Sequence, residues 1–280
     1  MKRFNLFSGF MMLAVTLFFS ACSKNDNNNN NGGNTTGNPA DTVAVNNLVG
    51  YFKFNNNVND EKMHTAMGTN VTYTTDRFGN TNSAYKGDTN AYVEVTPATD
   101  FKTGSITLSM WLRAQPFAGG TSFILTCIDP DLGWNEGYGI WQEGSSRGDT
   151  LRYKAFTRHQ DADVFIWTDT QYSMASDVLF PSSKWYQLVY TYDASTSIRD
   201  MYMNGEMVMS DTLMYNGAPM GPITVPSTAQ SLFIGKNPNT GQSWIGNYVG
   251  DMDDLRIYNI ALDADQVKAL YDGENMAEGQ

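Results

Sequence analysis

Residues 105–113 read Ser105-Ile106-Thr107-Leu108-Ser109-Met110-Trp111-Leu112-Arg113. The pattern alternates over all nine positions. Successive side chains of a strand point to opposite faces, so Ile106, Leu108, Met110 and Leu112 share one face. The stretch predicts a long strand packed against a core.

Working outward, similar short stretches recur from residue 48 onward. They are Leu48–Phe54, Ala91–Val95, Ser122–Ile128, Tyr138–Gln142, Leu151–Phe156, Val164–Thr168, Trp185–Tyr192, Met201–Met203, Glu206–Met209, Ser231–Gly235 and Gly250–Asn259. Asn204-Gly205 separates two of them. That pair supplies positive φ at both central positions of a type I′ turn, which predicts a tight hairpin. Helical periodicity is confined to the end. Asp263 and Gln266 have capping-box spacing, Val267, Leu270 and Tyr271 make an apolar side, and Gly273 can close the helix. Many strands with one short helix imply an all-β sandwich or barrel.

Composition agrees. The chain has 280 residues, 41% apolar, 13% aromatic and only 17% charged. Aromatic and β-branched residues suit a pleated, half-buried surface. The formal charge of −11 excludes a surface that tracks nucleic-acid phosphates, which would need the opposite sign. Two cysteines exclude a disulfide scaffold and a cysteine-based zinc site.

Residues 1–21 predict a signal peptide, with Lys2 and Arg3 ahead of the apolar run Leu6–Phe19. The small residues Ser20-Ala21 before Cys22 resemble a bacterial lipobox, which implies cleavage before Cys22 and lipidation of its thiol. The alternative is an ordinary signal peptide cleaved near Ala21. Residues 22–46 begin as an Asn/Gly-rich stretch with too few apolar groups to offset the entropy of ordering, and they predict a disordered tether. Such a tether of roughly 25 residues reaches about 25–30 Å. The expectation is an outer-membrane lipoprotein that holds its domain at the cell surface, with the periplasmic face as the alternative. Loss of Lys2 and Arg3 takes the formal charge from −11 to −13. Lipidation of Cys22 would also leave Cys127 without a partner, so the fold must rest on its core.

Residues 47–273 read as one domain, followed by a tail at 274–280. The opening Leu48–Glu61, the turn Thr75-Asp76-Arg77-Phe78-Gly79-Asn80 with Ala84-Tyr85, and the blocks Ser105–Trp111 and Trp185–Asp193 carry a resemblance. So do Met201–Gly205, Phe233–Gly235 and, most specifically, Gly250–Asn259 with Leu262–Tyr271. Together they resemble a laminin G-like domain of the concanavalin A-like lectin/glucanase superfamily. The resemblance implies a two-sheet antiparallel jelly-roll sandwich, with the first strand near the last and the helix outside the sheets. It also implies core-facing roles for Trp111 and Trp185.

Glucanases of this fold carry a Glu-x-Asp-x-x-Glu strand that presents three acids on the concave face. No such spacing occurs here, and no catalytic residue is assigned. Structural calcium is common in such domains. Asn57, Asn59 and Asp60 follow the first strand, and Asp251, Asp253 and Asp254 lie in the last, so Asn57, Asp60, Asp251, Asp253 and Asp254 are candidate calcium ligands. The other way to satisfy them leaves Asp253 in solvent, with Arg256 as an ion partner. A glycan site would combine stacking rings with amides and carboxylates. Trp134, Trp141 and Trp167 in the divergent middle, and Trp244 in a later loop, are the candidate rings. The reading is a membrane-anchored recognition module for carbohydrate. The alternatives are a protein-binding adhesion module, or a hydrolase or lyase with an unrecognised acid pair.

Overall fold

The computed structural model describes residues 38–115, 121–144, 150–161, 164–171, 180–239 and 241–276. Cys22 lies outside them. In chain order the first strands are β1 (Leu48–Phe52), β2 (Thr65–Thr69), β3 (Thr72–Thr74), β4 (Ala84–Gly87), β5 (Tyr92–Thr96) and β6 (Ile106–Ala114). Next come β7 (Thr121–Ile128), β8 (Gly137–Gly144), β9 (Thr150–Asp161), β10 (Val164–Gln171), β11 (Phe180–Pro181) and β12 (Tyr186–Tyr192). The rest are β13 (Ile198–Met203), β14 (Glu206–Thr212), β15 (Met214–Tyr215), β16 (Ala218–Pro219), β17 (Leu232–Ile234), β18 (Ile245–Asn247) and β19 (Gly250–Tyr258). One helix, α1 (Ala264–Glu274), follows.

Two large sheets result. The first runs β14-β13-β12-β6-β19-β4-β3, with β1 also on β19. The second runs β10-β9-β8-β7-β17-β5-β2, with β11 on β9 and β18 on β7. Their inner faces form the core. Leu108, Met110 and Leu112 of β6, with Met252 and Ile257 of β19, meet Val93, Leu125, Ile140 and Leu232 of the other sheet. The expected sandwich is present, and the first strand pairs with the last, Tyr51 opposite Arg256. Asn204 and Gly205 take φ of 53° and 79° and join β13 to β14, as the dipeptide predicts.

The alternation of residues 105–113 holds, but both faces are covered. Thr107 and Ser109 are as buried as their inward neighbours, and Trp111 is 4% exposed. The cover is α1 and the N-terminal arm. The α1 cap forms as expected, with Asp263 Oδ1 accepting from Gln266 N at 2.8 Å and Gln266 Oε1 accepting from Asp263 N at 3.0 Å. Gly273 does not close the helix. It sits inside the last turn, where a Cβ would lie 2.4 Å from the Ala40 nitrogen. The glycine is there for close approach.

Two expected boundaries therefore move. Residues 38–46, expected to be tether, fold as short 3₁₀ turns at Pro39–Thr42 and Val45–Asn47, and Ala40 is wholly buried beneath α1. Glu274, expected to begin a tail, is also wholly buried. Its Oε1 accepts from Arg256 Nε at 2.7 Å. Its Oε2 accepts from Trp111 Nε1 at 2.7 Å and Gln187 Nε2 at 2.9 Å. Arg256 also reaches Asp41 at 2.8 Å, so one guanidinium ties the 3₁₀ turn at Pro39–Thr42 and the end of α1 to the first sheet.

Candidate functional site

The outer face of the second sheet carries an aromatic cluster. Tyr138 and Ile140 point into the core, so alternation turns Gly139 and Trp141 outward. Gly139 leaves room for the Phe156 ring, whose edge would lie 2.6 Å from a Cβ there. Trp141 is 3% exposed, 5.4 Å from Phe123 and 5.7 Å from Phe156 between ring centroids. Two loops then fold over it. Trp134, from the loop between β7 and β8, meets Trp141 edge-on at 6.1 Å. Trp244, from the loop before β18, meets Trp134 at 5.0 Å and 83°. Both rings stay half-buried.

The two loops are joined by amides. Asn237 Nδ2 donates to the Trp134 carbonyl at 2.8 Å, and Asn239 Nδ2 to the Pro130 carbonyl at 2.9 Å. The Trp244 carbonyl accepts from Thr121 N at 3.0 Å. The nearby charges pair with one another. Glu143 accepts from Trp141 Nε1 at 3.1 Å and meets Lys154 at 3.2 Å. Glu136 meets Arg158 at 2.6 Å.

Three of the four candidate tryptophans are thus brought together. Trp141 is a floor rather than an open platform, because Trp134 and Trp244 cover it. Trp167 sits in β10 with its backbone opposite Arg158, and its side chain lies outside the described ones. Sequence reasoning missed Phe123, Phe156 and Gly139, which read as ordinary strand residues.

The candidate calcium ligands do not converge. Asn57 is exposed and bonds within its own turn, to Asn55 O and Asn59 N. Asp60 accepts from Tyr51 N at 2.7 Å and pairs with His64 at 2.5 Å. Asp251 pairs with Arg113 at 2.7 Å. Asp253 and Asp254 share one guanidinium, Arg77, at 2.5 and 2.7 Å. A bulge in β19, with Asp254 at φ 44°, puts both carboxylates on the outer face. Burial, and then the Asp254 charge, push the Asp253 carboxyl up, against the pull of Arg77. Among the described residues no group of three or more His, Cys, Asp and Glu is arranged to hold a metal. The partner expected from sequence, Arg256, instead serves Glu274 and Asp41.

Solved structures share the fold. The binding domain of Paraclostridial Mosquitocidal Protein 1 superposes with a TM-score of 0.58 at 17% identity, covering 82% of this chain and 52% of that one. Domain 4 of AbnA, an extracellular arabinanase from Geobacillus stearothermophilus, in complex with arabinotriose, gives 0.54 at 18% identity, covering 80% and 98%. The binding domain of botulinum neurotoxin DC in complex with SialylT gives 0.52 at 13%, covering 82% and 52%. The chain spans about half the length of the toxin domains it matches. No curated protein matches it. Residues 87–268 match the Laminin_G_3 family. That stretch takes in β5 through β19 and the first turn of α1, and on it the chain belongs to the Laminin_G_3 family of the Concanavalin A-like lectin/glucanases superfamily.

Proposed function

We propose that the chain is a carbohydrate-recognition module whose ligand lies against Trp134 and Trp244. One observation carries this reading: two half-buried indoles, 110 positions apart in sequence, meet at 5.0 Å over a packed aromatic floor. Rings held rigid lose little entropy on stacking, and their faces suit the C–H faces of a sugar. Asn135 and Gln242, beside the rings, are amides suited to hydroxyls. Among the described residues Glu143 and Glu136 pair with Lys154 and Arg158, an arrangement that favours a neutral glycan over an acidic one. Two structural neighbours, solved with arabinotriose and with SialylT, support a sugar as the partner class.

Lipidation of Cys22 at the outer membrane is the second part of this reading, and it rests on the sequence before that cysteine. The arm at Pro39–Thr42 enters the domain beside α1, on the outer face of the first sheet. The rings lie on the opposite outer face, that of the second sheet.

The test is calorimetry of the wild-type, Trp134→Ala and Trp244→Ala chains against neutral and uronate polysaccharides. Each truncation is expected to weaken neutral-glycan binding at least about tenfold, because a buried-edge Trp anchor is worth 2 kcal/mol or more. Wild-type protein that binds no polysaccharide, or variants that bind unchanged, would refute the site.

A further inference from the structure

We propose that the Arg77 guanidinium is this chain's own cation at the closing strand, filling the role that the acid-rich sequence predicts for calcium. Adjacent carboxylates on one face repel and need a counter-charge. Arg77 provides it through a fork. Nη1 donates to Asp253 Oδ2 at 2.5 Å and Nη2 to Asp254 Oδ2 at 2.7 Å. Nη2 also donates to the Glu274 carbonyl at 2.8 Å, which binds the turn at residues 75–80 to the end of α1.

The surroundings suit a guanidinium better than a metal ion. Its carbon lies 4.4 Å from the Phe78 ring centroid and 4.5 Å from that of Trp111. Two aromatic faces match a planar, weakly hydrated cation, whereas calcium needs six to eight oxygens. The oxygens are also committed. Asp253 Oδ1 accepts from Asp254 N at 2.9 Å, and Asp254 Oδ1 from the Tyr51 hydroxyl at 2.8 Å. With Arg77, all four carboxylate oxygens have partners. The nearby Asp76 is spent on its own turn, accepting from Phe78 N and from both nitrogens of Asn80. The Arg77 side chain is 5% exposed, so the arrangement is part of the fold rather than a surface pair.

The test is thermal unfolding of the full chain in millimolar EDTA and in millimolar calcium, for wild type, Arg77→Met and Arg77→Met/Asp253→Asn. Wild type is expected to melt within about 1 °C in the two buffers. Arg77→Met strands two buried acids, and its Tm is expected to fall by roughly 6–20 °C, the shift that a broken buried ion pair gives in a domain of this size. Asp253→Asn should return part of that loss by removing one stranded charge. Should Arg77→Met fail to fold, Arg77→Lys, which keeps the charge but lacks the fork, is expected to melt below wild type in either buffer. A wild-type Tm that drops in EDTA and recovers in calcium would overturn the proposal, as would an Arg77→Met chain that melts with wild type.

Discussion

Replacing Glu274 with alanine should destabilise the domain more than any surface change. The carboxylate is wholly buried and satisfies three donors at once: Arg256 Nε, Trp111 Nε1 and Gln187 Nε2. Removing one partner of a buried ion pair costs about 3–5 kcal/mol, and each stranded neutral donor adds about 1–3 kcal/mol. Arg256 keeps Asp41 at 2.8 Å and the face of Tyr51 at 3.7 Å, which offsets part of that. The expected loss is about 4–6 kcal/mol. At roughly 2–4 °C per kcal/mol, Tm should fall by about 8–24 °C. Glu274→Gln has a single acceptor oxygen, which can serve Trp111 and Gln187 only by turning the NH2 group toward Arg256. It should cost about half as much. Urea unfolding at neutral pH, followed by far-UV circular dichroism, measures both. The reasoning fails if Glu274→Ala lies within about 1 kcal/mol of wild type. It fails equally if Glu274→Gln, which keeps the volume and loses the charge, melts with wild type, which would attribute the alanine loss to volume rather than to charge.

Other consequences can be measured in the same way. Trp141→Ala removes the floor of the aromatic cluster and should cost about 3–5 kcal/mol in urea, whereas Trp134→Ala and Trp244→Ala, half-buried, should cost clearly less; equal losses would contradict the assignment of floor and surface. Burial alone would lower the pKa of His64, but hydrogen bonds to Asp60 and Asp100 outweigh it and hold the ring above the usual 6.5. A raised folded-state pKa gives stability that is full below 6.5 and lost as pH rises through the folded value. The stability gap between wild type and His64→Gln should therefore be widest in mild acid and close in alkali; a gap that is flat with pH would disprove the pairing of His64 with Asp60 and Asp100. The Cys127 thiol is wholly buried and pushed up to about 12, chiefly by that burial, so alkylating reagents should label it only as fast as the chain unfolds. Rapid labelling of the folded chain would show an opening that the core does not display.

Much of the fold was legible along the chain because its signals are local. Alternation in Ser105–Arg113 marked β6, Asn204-Gly205 marked a hairpin, and Asp263 with Gln266 marked the start of α1. Weak patterns escaped: β2 reads Thr-Ala-Met-Gly-Thr and lies at a sheet edge with little to bury. At the candidate site, the three tryptophans that the structure brings together were picked out by composition and loop position. Their division into floor and surface was not visible, since Gly139, Phe123 and Phe156 acquire their role only when three strands lie side by side.

By itself, the sequence determined the class of fold, the inward face of the long strands, the hairpin and the helix cap. Each depends on residues within a few positions of one another, where backbone geometry leaves few choices. Only the tertiary structure decided what lies outside the sheets. There, contacts join residues more than a hundred positions apart: Arg77 to Asp253, Asp41 to Arg256, Trp134 to Trp244. It placed the five calcium candidates in ion pairs and hydrogen-bonded turns, with Asp253 and Asp254 on one guanidinium, and it moved residues 38–46 and Glu274 into the folded domain. A carboxylate has no fixed partner until the chain closes. The cation that then stands nearest is set by strand register and by a single bulge at Asp254, neither of which the spacing of acids reveals.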